Sequence, residues 1–223
     1  YEMLRSLVGS EMCIRDSYYF MDFETAIQGV PIVKGTEPSY PLPFQWSVHK
    51  WDSIKEQIKL EEAKSFLNFE DQNIERNFIE SLLDAVGSKG TIFAHSASTE
   101  ISTLQRLLKK DNLKNLSDKI TKLIDRVVDT KKIVTENFYS PLMNGSSSIK
   151  EVVKAIPGDI TYNKDDSMAG GADAMLAWFL YTDPKTTKEE QNELKKNLIE
   201  YCSKDTLAIY HLIKYLLDQK NKN

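Results

Sequence analysis

Tyr18-Tyr19-Phe20-Met21-Asp22-Phe23-Glu24 is the stretch that decides how this chain reads. It is rich in aromatic residues, which suit a pleated, half-buried surface, and so it reads as a β-strand. On a strand, residues two apart project to the same side, so Asp22 and Glu24 point together. Neighbouring carboxylates repel, and one must keep its proton unless a cation neutralises the pair. A divalent ion meets that need, and hard oxygen ligands suit Mg2+ or Mn2+. The plain alternative is a strand end that reaches solvent with its acids hydrated.

Outward from this strand the pattern alternates between elements. A loop rich in Pro and Gly runs from Gly29 to Pro43, and Phe44 to Trp51 alternates as a second strand. Ile54 to Leu60 permits a third strand or a helix. Asp71 to Val86 places Ile74, Phe78, Ile79, Leu82 and Leu83 at helical spacing, and Gly87 and Gly90 end it. Thr91 to Ala94 is a short buried strand, and Arg126 to Asp129 another. Helices are expected at Ser98–Lys109, Leu116–Ile124, Ser148–Ala155, Gly171–Tyr181 and Thr187–Asp218. Strands first, then alternation, then helices predict an α/β protein, a mixed sheet flanked by helices.

Two of the helices carry acids on apolar faces. At ~100° per residue, Leu194, Leu198, Cys202, Ile209, Leu212, Ile213 and Leu216 form one stripe. Asp205 falls in its middle, with Tyr201 one turn earlier on the same face. Glu100 shares its face with Leu104 and Leu107. A lone carboxylate facing a core is costly unless paired or metal-bound. A buried salt bridge would account for one such acid, hardly for acids on three elements. Four inward carboxylates can hold two cations, the arrangement used for in-line phosphoryl displacement, and Tyr201 can orient the attacking water.

Composition sets looser bounds. The chain has 223 residues, 41% hydrophobic and 28% charged, which suits one globular domain. No apolar run approaches the ~20 residues of a membrane span. Two cysteines, Cys13 and Cys202, make no disulfide framework, and a reduced, cytoplasmic protein fits best. The net charge of -4 neither supports nor excludes a nucleic-acid partner. Lysines are dense from Lys109 to Lys154, and solvated helix faces are the favoured explanation.

The acids also carry a family resemblance. Asp22-Phe23-Glu24 resembles the first motif of the DnaQ-like, or DEDD, exonuclease superfamily. Tyr201-Cys202-Ser203-Lys204-Asp205 matches its third motif in the Tyr-x-x-x-Asp form that marks the tyrosine subclass. Ala94-His95-Ser96-Ala97-Ser98-Thr99-Glu100 resembles the second motif, which usually carries Asn, then an aromatic and Asp. Here Ser96, Thr99 and Glu100 stand in those places. More closely, Pro43 to His49, Tyr139-Ser140-Pro141, Gly145 to Lys150 and Tyr201 to Thr206 resemble a bacterial domain family of unknown function in this superfamily. The resemblance covers nearly everything after Tyr18. It implies a ribonuclease-H-like fold and a 3'-5' exonuclease using two Mg2+ or Mn2+ ions on single-stranded nucleic acid. Asp22, Glu24, Glu100 and Asp205 would be the ligands, with Tyr201 as the catalytic tyrosine. The rival reading is a catalytically inactive module that binds nucleic acid or protein through the same fold.

Glu11-Met12-Cys13-Ile14-Arg15-Asp16-Ser17 resembles the conceptual translation of a transposon-end sequencing adapter. Residues 1–17 are therefore read as a cloning or assembly scar, and 18–223 as the nuclease-type domain. In longer relatives this domain sits toward the C-terminus, so an additional upstream domain is expected.

Several further residues carry two readings each. Asp129 can lie behind the metal ligands or cap the helix that follows, and capping is favoured. Ser148 and Glu151 have capping-box spacing, and Lys150 beside them can meet a phosphate. Gln45 and Trp46 line a substrate groove or pack in the core. His95 satisfies a strand end or touches the site. His49 and His211 have no metal-ligand spacing. Asp173 is placed in the first turn of its helix.

Overall fold

β1, Ser17–Ile27, organises the sheet. Its side chains divide between two layers. Tyr18 and Phe20 pack with Tyr210, Leu212 and Ile213, whereas Tyr19, Met21 and Phe23 pack with Phe78, Leu82 and Leu104. Both faces are covered, which is why this strand carries large apolar groups on both sides. β2, Pro41–Asp52, runs antiparallel to it, with Tyr18 opposite Trp51 and Glu24 opposite Gln45. β3, Lys64–Leu67, adds antiparallel to β2 at one edge. β4, Thr91–Ala94, and β5, Val127–Asp129, add in parallel on the other side of β1. The strand order is β3-β2-β1-β4-β5, a mixed five-stranded sheet, and the expected α/β class is observed.

The computed structural model describes residues 17–31, 33, 35–52, 57–69, 73–162, 168 and 170–220. Among the described residues the sheet is flanked by seven α-helices. These are α1 (Ile74–Val86), α2 (Ser98–Leu107), α3 (Ser117–Ile124), α4 (Thr130–Asn137), α5 (Ile149–Val152), α6 (Gly171–Thr182) and α7 (Lys188–Lys220). α1, α2 and α3 cover one face, while α4, α5 and the C-terminal half of α7 cover the other. α6 packs near the end of β1 with Leu198 and Tyr201 of α7. No helix among the described residues is long and apolar enough to cross a membrane.

Most expected elements are present, with boundaries shifted by a few residues. The third strand is a correction. Ile54 to Leu60 was the candidate, yet Leu60–Glu62 is a 3-10 turn and positions 54–56 lie outside the described residues. The strand instead is Lys64–Leu67, an edge whose first two residues are exposed, so it has little apolar pattern to read. Asp71, the expected start of α1, and residues 1–16, which hold Cys13, also lie outside the described residues. Ser17, placed in the adapter-like string, is the first residue of β1, and its hydroxyl donates to Asp52 Oδ1 at 2.6 Å. The helix expected at Ser148–Ala155 is split into α5 and a 3-10 turn, Val153–Ala155.

One glycine fixes how β4 enters the sheet. Gly90 has φ +91°, and a Cβ there would stand 2.2 Å from the Ser17 carbonyl oxygen. Any side chain would collide with the β1 backbone at the place where the two parallel strands begin to pair.

β1 is the point where the strand order turns. The chain leaves it toward β2 on one side, and its parallel neighbour β4 lies on the other. Open sheets leave a crevice beyond the carboxyl ends of their strands at such a point. The last β1–β4 pair is Phe20 with Phe93, so Asp22 and Glu24 run out into that crevice.

Candidate metal centre

Three elements deliver four acids to the crevice. Asp22 and Glu24 lie on the face of β1 that carries Phe20, toward α7. Asp205 comes from the middle of α7, on the face that also buries Leu198, Cys202 and Ile209. Glu100 is in the first turn of α2, which starts just past the end of β4. Together with Tyr201 these residues line one cavity of about 410 Å³. Glu24, Glu100 and Asp205 are each less than 10% exposed, at 7%, 3% and 8%. Asp22 is half-buried.

The turn that presents Glu100 is held in a constrained shape. Ser96, which also lines the cavity, has φ +64°, a left-handed conformation that a non-glycine residue adopts at a cost of order 1–3 kcal/mol. Its N–H donates to Asp129 Oδ1 at 3.0 Å, and the same oxygen accepts the Lys131 N–H at 2.9 Å. Asp129 therefore caps α4, as favoured, and also ties the β4–α2 turn to that cap. His95 sits with Nδ1 2.9 Å from Thr130 Oγ1 and Nε2 2.8 Å from the Ser147 carbonyl oxygen. It satisfies a strand end and lines the cavity as well.

Three of the four acids are gripped on one side. The Cys202 thiol donates to Asp22 Oδ2 at 3.4 Å, and the Tyr162 hydroxyl donates to Asp205 Oδ1 at 2.6 Å. The Phe23 N–H and the Glu100 N–H both donate to the Glu100 carboxylate. Glu24 lies beside the start of α6, where a Cβ on Gly171 would stand 3.7 Å from Oε2. One potential ligand atom from each of Asp22, Glu24 and Cys202 lies within 4.8 Å of the other two, and Glu100 and Asp205 stand outside that group.

The electrostatic consequence is mutual destabilisation of charge. Burial, then Glu24, Asp205 and Glu100, raises Asp22 well above the usual carboxylate range. Burial, then Asp205 and Glu100, pushes Glu24 up to about 8, and Lys150 pulls partly the other way. Burial also lifts Glu100 to about 7, against the two backbone donors. Asp205 is raised by burial despite Tyr162, Lys150 and Tyr201, which favour its anion. The folded chain thus binds protons here more tightly than the unfolded chain does, so stability contributed at low pH is lost as pH rises. Without metal, the melting temperature should fall between about pH 5 and pH 8, the window spanned by Glu24 and Glu100. Saturating Mn2+ should flatten that fall. Melts at constant ionic strength in chelator and in MnCl2 make the comparison, and a flat profile in chelator would mean the acids are not strained.

The four acids offer hard oxygen donors, the type a dication such as Mg2+ takes, while the closest group also contains the Cys202 thiol. Glu100 Oε2 is buried with no hydrogen-bond partner, an omission worth about 1–3 kcal/mol unless something else binds it. Repelling carboxylates with raised proton affinity are what a divalent ion relieves. The oxygen-rich set suits Mg2+ or Mn2+.

Other expected site residues divide. Lys150 lies beside the cavity, its Nζ 3.4 Å from the Tyr201 hydroxyl. It does so from α5, whose four residues are too few for an anion-binding N-terminus. The capping box there is corrected: Ser148 makes no side-chain cap, and Glu151 instead accepts from Asn144 and Lys154. Gln45 is also corrected. It is fully buried and donates from Nε2 to the Leu198 carbonyl at 2.7 Å, a strut between β2 and α7 that no substrate can reach. Trp46 is core, its Nε1 donating to the Phe78 carbonyl. His49 is buried against Thr206 and the Lys59 carbonyl. Asp173 stands in the first turn of α6 as expected, accepting from the Gly170 N–H. Among the lysines, Lys109, Lys114 and Lys132 are exposed on solvated faces.

Two residues of the centre were missed. Cys202 was read only as part of an apolar stripe, although its position one turn before Asp205 put it within reach of β1. Tyr162 lies in an irregular segment after α5, where no periodicity marks it.

The fold and the cavity define a mixed α/β protein with a buried acidic centre at the ends of its central strands. The chain belongs to the DUF2779 family, a domain of unknown function, whose model matches residues 19–148. That match covers Asp22, Glu24, Glu100 and Asp129 and stops before Lys150, Tyr162 and the acid of α7. No curated protein and no solved structure matches the chain significantly.

Proposed function

We propose that this chain is a metal-dependent phosphodiesterase acting on nucleic acid, most simply a 3'-5' exonuclease on single strands, with two Mg2+ or Mn2+ ions. The observation that carries the reading is convergence: four carboxylates from β1, α2 and α7 line one cavity with the Tyr201 hydroxyl. The motif resemblance of Asp22-Phe23-Glu24 and Tyr201 to Asp205 to the DnaQ-like superfamily supports it. Asp22, Glu24, Glu100 and Asp205 would hold the ions, which supply a water of lowered pKa and charge stabilisation at the leaving oxygen. Tyr201, kept protonated by burial and by Asp205, offers a hydroxyl donor that holds the attacking water. Lys150 places a positive charge beside that hydroxyl, near enough to favour the anions of Glu24 and Asp205.

The test is the purified 223-residue chain with end-labelled single-stranded DNA and RNA in Mn2+ and in chelator. Stepwise shortening from the 3' end, abolished by chelator, is the expected result. Failure to bind Mn2+ or to cut either strand would favour the inactive binding module.

A further inference from the structure

The centre holds two tyrosines that approach Asp205 differently. Tyr201 forms part of the cavity wall, whereas the wall does not include Tyr162. The Tyr162 hydroxyl nevertheless donates to Asp205 Oδ1 at 2.6 Å, a short, charge-assisted contact. Its ring is itself held, with Lys150 Nζ 5.2 Å and Lys204 Nζ 5.5 Å from the centroid. Lys150 Nζ also stands 4.8 Å from the Tyr201 ring centroid, so one ammonium ties the two phenols together.

We infer that Tyr162 is a positioning residue, which occupies Asp205 Oδ1 from behind the cavity and so leaves Oδ2 to face a divalent cation. The inference rests on the metal reading above. A carboxylate on a long helix has two torsions of its own and can rotate either oxygen inward. A donor on one oxygen fixes the plane of the group, and such outer partners set ligand orientation and cation affinity. Burial and Asp205 keep the phenol protonated, so it remains a donor throughout the working range. Cys202 makes the matching contact to Asp22 Oδ2, with a weaker thiol donor.

Tyr162→Phe removes one hydroxyl and keeps the ring between its lysines. Mn2+ binding to the full chain is followed by loss of the free-ion paramagnetic resonance signal, beside a melt of each metal-free protein. About 10- to 100-fold weaker binding of at least one class of Mn2+ is expected, with the metal-free melt close to that of the unmutated chain. Unchanged Mn2+ affinity overturns the inference, and a lowered melt alongside it assigns Tyr162 to packing. Failure of the unmutated chain to take up Mn2+ ends the metal reading and this inference together. Uptake that Tyr162→Phe leaves intact ends this inference alone.

Discussion

Asp205→Asn should lower hydrolysis by at least ~10³-fold while the metal-free protein melts at a higher temperature. The two effects have one cause. Asp205 is 8% exposed, and burial raises its proton affinity even though Tyr162 donates to Oδ1 and Lys150 and Tyr201 favour its anion. Asparagine keeps the shape, can still accept from Tyr162 through Oδ1, and removes a charge that Asp22 and Glu24 both feel. Folding should therefore gain. On the proposed mechanism the cation site would lose a ligand charge, and metal-based stabilisation of transition-state charge is worth several kcal/mol, with each ~1.4 kcal/mol a factor of ten in rate. Asp22→Asn should behave in the same way. Rates in saturating Mn2+ and melts in chelator make the pair of measurements. Full activity in either variant would remove that acid from the chemistry, and a lower metal-free melt would show that the acids are not in conflict.

The opposed directions of these effects reflect what the sequence could disclose. Asp22, Glu24 and Asp205 were legible because a polar residue inside an apolar pattern is an anomaly of period, two for a strand and about 3.6 for a helix. Glu100 was legible for the same reason, although its neighbours Ser96 and Thr99 depart from the resembled motif. What the pattern cannot carry is the partner on the other side of the acid. Gln45 beside Trp46 reads equally as groove or core, and only the structure shows it opposite Glu24 with its amide buried against the Leu198 carbonyl of α7. The Ser148–Glu151 spacing was right for a capping box, but the short α5 leaves Glu151 to Asn144 and Lys154. β3 was unreadable because its exposed edge needs no apolar alternation. Tyr162 follows no period at all, and only the packing of its segment against α7 brings it to Asp205.

Tyr201→Phe should lower the chemical rate by ~10²–10⁴-fold and leave Mn2+ affinity nearly unchanged. Tyr201 is 8% exposed, and its hydroxyl is the one tyrosine hydroxyl on the cavity wall among the described residues. Burial, then Asp205, Glu24 and Asp22, pushes the phenol far above its ordinary range, so it acts as a fixed donor and takes up no proton from water. On the proposed mechanism its contribution is the orientation of the nucleophile, which Phe would abolish. The ring remains against Leu198, Phe44 and Trp178, so folding should be preserved. Asp205 retains its contact with Tyr162, which is why cation binding should hold in this variant and weaken in Tyr162→Phe. Tyr201→Ala instead empties the ring's place in that cluster, at a stability cost of about 3–5 kcal/mol. Single-turnover cleavage of an oligonucleotide at saturating Mn2+ separates orientation from binding. A Phe variant that cuts at the unmutated rate would make Tyr201 a packing residue and leave the acids as the whole of the chemical machinery.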